Sequence, residues 1–329
     1  MGPYFSDSFN NDAQILREEF ENDAGALTNW FQNGDIVLVD RGYRDVIPLL
    51  DRLGIDHRMP AHLLPGQSQL STEDANSSRI VTKSRWIVEA RNGHLRSVFK
   101  FLAHSLNIQN AKKLNSYYLI AGAILNRYHP IILMQDATVE LAREMIDRSN
   151  MPNVVQARVE VDNLTRRNGQ WVPLGDQALI DFPVLDLEYL SDLTVGTYQV
   201  NLASSYIQDK LIRDNDEQFQ IDENLEEPGF LRIRVYSRFR NATKHQVFIA
   251  YIAHDAENRE DHDENVVQGY YCSCKSGART LGTCAYVASV LWYLGYARHL
   301  QNVKYPDESL LNTTLDAANR NPGVEIIEE

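Results

Sequence analysis

GDIVLVDRGYRDVIPLLDRLGI, residues 34–55, is the stretch on which the reading of the fold turns. Ile36-Val37-Leu38-Val39 is a short apolar run bounded by Gly34 and by Arg41-Gly42, with a helical pattern from Asp45 to Leu53 behind it. A run of that length between turn residues is the pattern of a buried strand in an α/β sheet. Asp40 then stands at the C-terminal end of the strand, the edge where ligands and catalytic groups gather in open α/β sheets. An aspartate there equally serves as the cap of the next helix, and position alone leaves both readings open.

Working outward, Ile55 to Met59 predicts a second short strand ending at Pro60, and a loop over 63–70 leads to a long helix from Thr72 to Leu102. Helices are also expected over Leu106–Tyr128 and Asp136–Ser149, and upstream Asp12 could cap a helix through Ala13, Ile15 and Leu16. Composition shifts near Met151-Pro152. Beyond it come a partly helical stretch from Tyr189 to Lys210, a hairpin of Leu231–Val235 with Gln246–Ile252, a cysteine cluster and a last helix, Ala285–His299. The chain therefore reads as α/β, α+β overall. Its expected domains are 1–130, a helical extension and linker over 131–160, a small mixed domain over 161–305 and a tail over 306–329.

At 329 residues the chain can build two cores. No apolar run reaches the roughly 20 residues of a membrane span, and no secretory leader is legible. The net charge of −13 argues against a protein coated in nucleic acid on every side. That charge concentrates in Asp214–Glu227 and Asp255–Glu264, both of which read as solvated loops. G-x-S-x-G, Walker A and G-x-G-x-x-G patterns are all missing, so no small-molecule substrate is implied.

Against this acidic background the helical stretch RIVTKSRWIVEARNGHLRSVFKFL is locally basic: Arg79, Lys83, Arg85, Arg91, Arg96 and Lys100 surround the single acid Glu89. Basic side chains on a helix suit phosphate contact, the main source of affinity for nucleic acid. The plainer alternative is that Glu89 pairs with Arg85 one turn away, worth a few tenths of a kcal/mol. Charge pattern does not choose between them.

The order of motifs adds a resemblance. GDIVLVDRGYRDVIPLLDRLGI, then Met59-Pro60, then ANSSRIVTKSRWIVEARNGHLRSVFKFL with its R-x3-E from Arg85 to Glu89, resembles the central part of a Harbinger-type DDE transposase domain over about residues 2–130. The resemblance implies an RNase H-like fold in which three carboxylates hold two divalent cations, Mg or Mn, on either side of a phosphodiester. Asp40 corresponds to the second carboxylate and Glu89 to the third. GPYFSDSFNNDAQIL resembles a later stretch of the same domain than its first strand. The expectation is thus an incomplete RNase H-like domain that starts mid-fold, without the first carboxylate. Asp7, Asp12 and Asp23 are out of place to substitute for it.

All three cysteines, Cys272, Cys274 and Cys284, fall within YYCSCKSGARTLGTCAYVASVLWYLGYARH. Thiolates clustered this way suit a structural zinc, which takes four thiolates or three plus histidine. Buried inert thiols are the alternative. The spacing resembles the SWIM-type zinc finger, C-x-C followed by C-x-H on a helix start. Position 286 is tyrosine where that pattern has its histidine, and a neutral tyrosine is a poor zinc ligand. His299 lies more than three turns further along the same expected helix. Trp292, Tyr293 and Tyr296 read as packing. Arg232, Arg234, Arg238, Arg240 and Lys244 read equally as a phosphate-binding face or as the solvated side of a hairpin.

These readings imply a transposase-derived, nucleic-acid-associated protein. Its endonuclease-like region is catalytically incomplete in this chain, with a divalent cation weak or absent at Asp40 and Glu89 and with zinc at the cysteine module. Its partners are DNA and a protein, with no membrane, and its place is intracellular, the nucleus favoured over the cytoplasm. The alternative is an active metal-dependent DNA endonuclease or transposase whose first strands and first aspartate are encoded upstream.

Overall fold

The computed structural model describes residues 11–22, 27–32, 34–104, 107–129, 138–166, 170–174, 181–214, 220–237, 243–252 and 265–300. The chain is mixed α/β and divides into two units. The first comprises Met1–His62, Ser77–Thr138 and Ala318–Glu329, and the second Leu63–Asn76 and Val139–Ala317. The opening GPYFSDSF, Asp7, Asp23, Arg238, Arg240 and the acidic run Asp255–Glu264 lie outside the described residues.

In the first unit, α1 (Asp12–Glu21) starts one residue earlier than the sequence suggests. Asn11 is the cap, its side chain accepting from the Gln14 N–H at 2.9 Å. Strands β1 (Ile36–Leu38) and β2 (Asp56–Arg58) pair in parallel, Val37 opposite His57. A 3-10 turn, Arg41–Val46, and then α2 (Ile47–Arg52) connect them. Ala13, Phe20, Val46, Leu49, Leu50 and Ile55 form a small core under this connection. The expected buried strand is only partly so: Val39 is buried, but Ile36 and Leu38 are 49% and 39% exposed. With one neighbouring strand among the described residues, β1 lacks the cover that a central strand receives on both faces.

The long helix α3 (Thr72–Val98) and α4 (Leu114–Tyr128) are as expected in type, each extended at one end by 3-10 turns. On α3 the buried apolar residues are Ala75 and Val81, while Ile87, Val88 and Val98 of the expected apolar face are 42%, 52% and 39% exposed.

The second unit is built on five antiparallel strands, β3 (Trp171–Pro173), β4 (Gln220–Asn224), β5 (Phe230–Tyr236), β6 (Lys244–Tyr251) and β7 (Val267–Cys272), adjacent in chain order. One face carries Leu231, Ile233, Val235, Val247, Ile249 and Cys272, packed with α7 (Leu187–Leu193), α8 (Thr197–Asp214) and α9 (Ala285–Gly295). The other carries Trp171, Phe230, Phe248 and Tyr271 against Val155 and Val159 of α6 (Val154–Val161). Helix α5 (Val139–Asn150) precedes α6. Because both faces are covered, β5 and the C-terminal half of β6 are buried along most of their length. Trp292 is buried in this core, as its reading as packing requires.

Two readings are corrected by this sheet. The acidic run Asp214–Glu227 is not all solvated loop, since β4 lies inside it and Asp222 is buried. Nor do Arg232 and Arg234 face solvent. Arg232 is 2% exposed, gives Asp222 Oδ2 two hydrogen bonds at 2.8 and 3.0 Å, donates to the carbonyls of Leu164 and Arg166 and lies over the Trp171 ring. Arg234 also reaches Asp222, at 3.0 Å. The arginines of β5 thus compensate the acid of β4 across the ladder.

Residues 63–76 belong to the second unit although the chain on either side of them belongs to the first. Leu70 N–H donates to the carbonyl of Lys275, and Asn76 accepts from the N–H groups of Thr280 and Leu281, each at 2.9 Å. The first turn of α3 is therefore part of the unit that holds the cysteines.

Candidate functional site

Asp40 follows β1 and caps the 3-10 turn, its Oδ1 accepting from the Gly42 N–H at 2.7 Å. Its Oδ2 meets the Arg85 guanidinium from α3 at 3.3 Å. Oδ1 thus acts as the cap, and Oδ2 pairs with a cation of α3. Arg85 and Glu89, four residues apart on α3, share a face, and Glu89 is exposed. Asp12 is the residue that sequence reasoning set aside. A Cβ added at Gly42 would meet Asp40 Oδ1 at 3.0 Å and Asp12 Oδ2 at 3.2 Å, so the two carboxylates crowd the same glycine. Burial, then the charges of Asp12 and Asp40, raise the pKa of the neighbouring Tyr43 phenol.

The six basic residues of the helical stretch do not make one face. At 3.6 residues per turn, Arg79 and Lys83 lie on one side of α3, and Arg85, Glu89 and Arg96 on the other. Arg85 is committed to Asp40, and Arg91 donates to Asn126 Oδ1 at 2.7 Å. Arg96 and Lys100 are the exposed cations of the set.

The cysteines converge more fully. Cys272 ends β7, Cys274 follows in a tight turn, and Cys284 is the N-cap of α9. All three are buried, and their sulfurs lie within 4.8 Å of one another, the one cluster of three or more candidate metal ligands among the described residues. The turn makes the site. The Cys274 N–H points at Cys272 Sγ (3.4 Å), Cys272 N–H donates to the Gly277 carbonyl, and Gly277 N–H donates to the Cys274 carbonyl. A Cβ at Gly277 would fall 2.1 Å from the Cys272 carbonyl oxygen, so only glycine fits there.

Gln69 braces this turn from outside. Its Nε2 donates to the carbonyls of Cys272 and Cys274 at 2.7 and 2.6 Å, and the Tyr271 hydroxyl donates to its Oε1. Gly277 was legible in principle as a glycine behind C-x-C. Gln69 was not, because it lies about two hundred residues earlier in the chain and no local pattern marks it.

The electrostatics of the triad are uneven. Burial, with hydrogen bonding among the sulfurs, raises the Cys272 thiol well above its ordinary value. At Cys274 the contact with Cys272 favours the thiolate, but the contact with Cys284 and burial outweigh it, and the pKa rises. Burial also opposes ionisation of Cys284. There the thiols of Cys272 and Cys274 and the Val287 N–H (3.5 Å) overcome it, and the pKa falls well below the usual range. A thiolate at a helix N-terminus is the arrangement the helix dipole favours.

This donor set fits zinc. A tetrahedral ion about 2.3 Å from each thiolate separates its sulfurs by about 3.8 Å, and the three sulfurs already lie within 4.8 Å of one another. The carboxylates fit a pair of divalent cations less well. Asp40 already has a cationic partner in Arg85, and although Asp12 lies beside it, no three carboxylates gather among the described residues.

Residues 8–126 match the family described as DDE superfamily endonuclease. The matched span contains Asp12, Asp40, Arg85 and Glu89 and leaves all three cysteines outside. No curated protein and no solved structure matches the chain.

Proposed function

We propose that this protein is a nucleic-acid-associated protein derived from a Harbinger-type DDE transposase, in which the endonuclease region binds without cutting and a degenerate SWIM-type module holds zinc. The observation that carries the reading is the Asp40–Arg85 ion pair inside the DDE-matched span. The strand-end acid that would hold a divalent metal is tied instead to a cation on the helix that bears Glu89. DRGY, Met59-Pro60 and R-x3-E support the Harbinger subtype, and C-x-C with a third cysteine capping a helix supports the SWIM relation. Arg96 and Lys100 are the exposed cations offered to phosphate, and a DNA-binding role is what supports a nuclear location over a cytoplasmic one.

Zinc would be held by the thiolates of Cys272, Cys274 and Cys284 and would supply structural cross-linking of β7 to α9. The chain itself does the rest. The Cys274 and Val287 N–H groups point at sulfur, and Gln69 holds the carbonyls of the turn.

A second reading, metal-dependent cleavage, is favoured by one observation, the Asp12 carboxylate beside Asp40. Two assays separate them. Fluorescence anisotropy with labelled duplex DNA should show binding that weakens with salt. Replacing Arg96 and Lys100 by alanine should reduce the slope of log affinity on log salt by about 2. Plasmid nicking with Mg or Mn should not exceed that of an Asp40→Asn variant. Nicking that is abolished by Asp40→Asn and by Glu89→Gln would establish the second reading instead.

A further inference from the structure

We infer that the fourth ligand of the zinc site is His245, supplied from β6 across the sheet, in place of the helix position now held by Tyr286. The inference rests on the reading of the cysteines as a zinc site. His245 lies on the cysteine-bearing face. Cys272 is the register partner of Val247, and His245 is two residues before Val247, hence on the same side of the strand. The ladder runs on past Cys272, with Ser273 N–H donating to the Gln246 carbonyl and Gln246 N–H to Ser273 Oγ, both at 2.9 Å. This carries His245 alongside the turn that bears Cys274.

The imidazole also lies against the residue it would replace. Its ring centroid is 4.8 Å from that of Tyr286, which is two residues after Cys284 on the first turn of α9. The other described histidine of this unit, His299, follows the far end of α9 and contacts Arg298. His245 stands outside the sulfur cluster itself. Binding must therefore turn its ring from Tyr286 toward the sulfurs, whose remaining thiols release their protons to solvent as the ion enters while the neutral imidazole gives a nitrogen lone pair.

The test uses the full-length protein, zinc and cobalt(II). Wild type should bind one zinc per chain in competition with a chromophoric chelator, and its cobalt form should show the visible bands of a tetrahedral site with three sulfurs and one nitrogen. His245→Ala should weaken zinc binding by about tenfold or more, the range in which even supporting residues of such sites act. His245→Cys should restore tight binding, with stronger sulfur-to-cobalt charge transfer from a fourth thiolate. Adding Tyr286→His to His245→Ala should also restore binding by returning an imidazole to the helix position.

If wild type and His245→Ala bind zinc equally and give the same cobalt spectrum, the His245 assignment is overturned and the three-cysteine site stands. If wild type binds zinc no better than Cys284→Ser, the zinc reading itself falls. Should His245→Ala fail to fold, the cobalt spectrum of His245→Cys decides, and a spectrum unchanged from wild type overturns the assignment.

Discussion

Two aspartate–arginine pairs show how differently the two units use the same chemistry. In the first unit Asp40 meets Arg85 through one oxygen at 3.3 Å, with the carboxylate side chain 39% exposed. In the second, Asp222 meets Arg232 at 2.8 Å and Arg234 at 3.0 Å, with the carboxylate 9% and Arg232 3% exposed. The open pair sits in high dielectric and is worth about 0–1 kcal/mol. The closed pair lies in a sheet covered on both faces, where removing either charge strands the other. The fold of the second unit depends on the Asp222 carboxylate, whereas that of the first does not lean on Asp40 to the same degree. The same contrast holds for the aromatic residues, since Trp30 and Trp86 of the first unit are 78% and 41% exposed, whereas Trp171 and Trp292 of the second are buried.

The largest effect is expected from Gly277→Val, which drives side-chain atoms into the Cys272 carbonyl. It should abolish the cooperative unfolding transition reported by the buried tryptophans, and a variant that keeps that transition would show the turn to be plastic. Asp222→Ala comes next and should cost about 3–5 kcal/mol by denaturant titration. A loss under about 1 kcal/mol would put this pair in the same class as Asp40–Arg85. Gln69→Ala removes two hydrogen bonds from half-buried carbonyls and should cost about 1–3 kcal/mol in the same transition. The smallest effect belongs to Asp40→Asn, which keeps an acceptor for the Gly42 N–H and loses only the ion pair. Its stability should stay within about 1 kcal/mol of wild type. A larger loss would make Asp40 a structural residue and remove the contrast.

Asp222 also shows why part of the sheet was illegible. QIDEN sits within an acidic run, and on its own charge it reads as loop. Its compensation comes from Arg232, on the next strand, and a reading along the chain cannot see across the ladder. Those arginines misled in the mirror sense, since a run of basic residues on a hairpin reads as a solvated face until the opposing acid is placed. The segment 63–76 is a third case. It lies between Met59-Pro60 and the R-x3-E motif in sequence, yet its backbone and its Gln69 and Asn76 side chains are engaged with the cysteine turn more than 190 residues later. Asp12 is the fourth: spacing put it out of place for a family carboxylate, and chain reversal through α1 and the turn at Gly42 brought it beside Asp40.

What the sequence determined by itself was local. The strand-turn-helix around Asp40, the long helix carrying Arg85 and Glu89, the β5–β6 hairpin and the clustering of the cysteines ahead of a helix all follow from apolar periodicity, turn residues and spacing. These act over about ten residues or fewer, within the reach of backbone geometry. Tertiary structure decided the rest: which carboxylates share a glycine, which arginine is buried on which acid, which glutamine braces the turn, and that His245 stands on the face that bears the thiolates. Those outcomes depend on packing and cross-strand register between residues tens to hundreds of positions apart. In the second unit it is the sheet, buried on both faces, that brings them together.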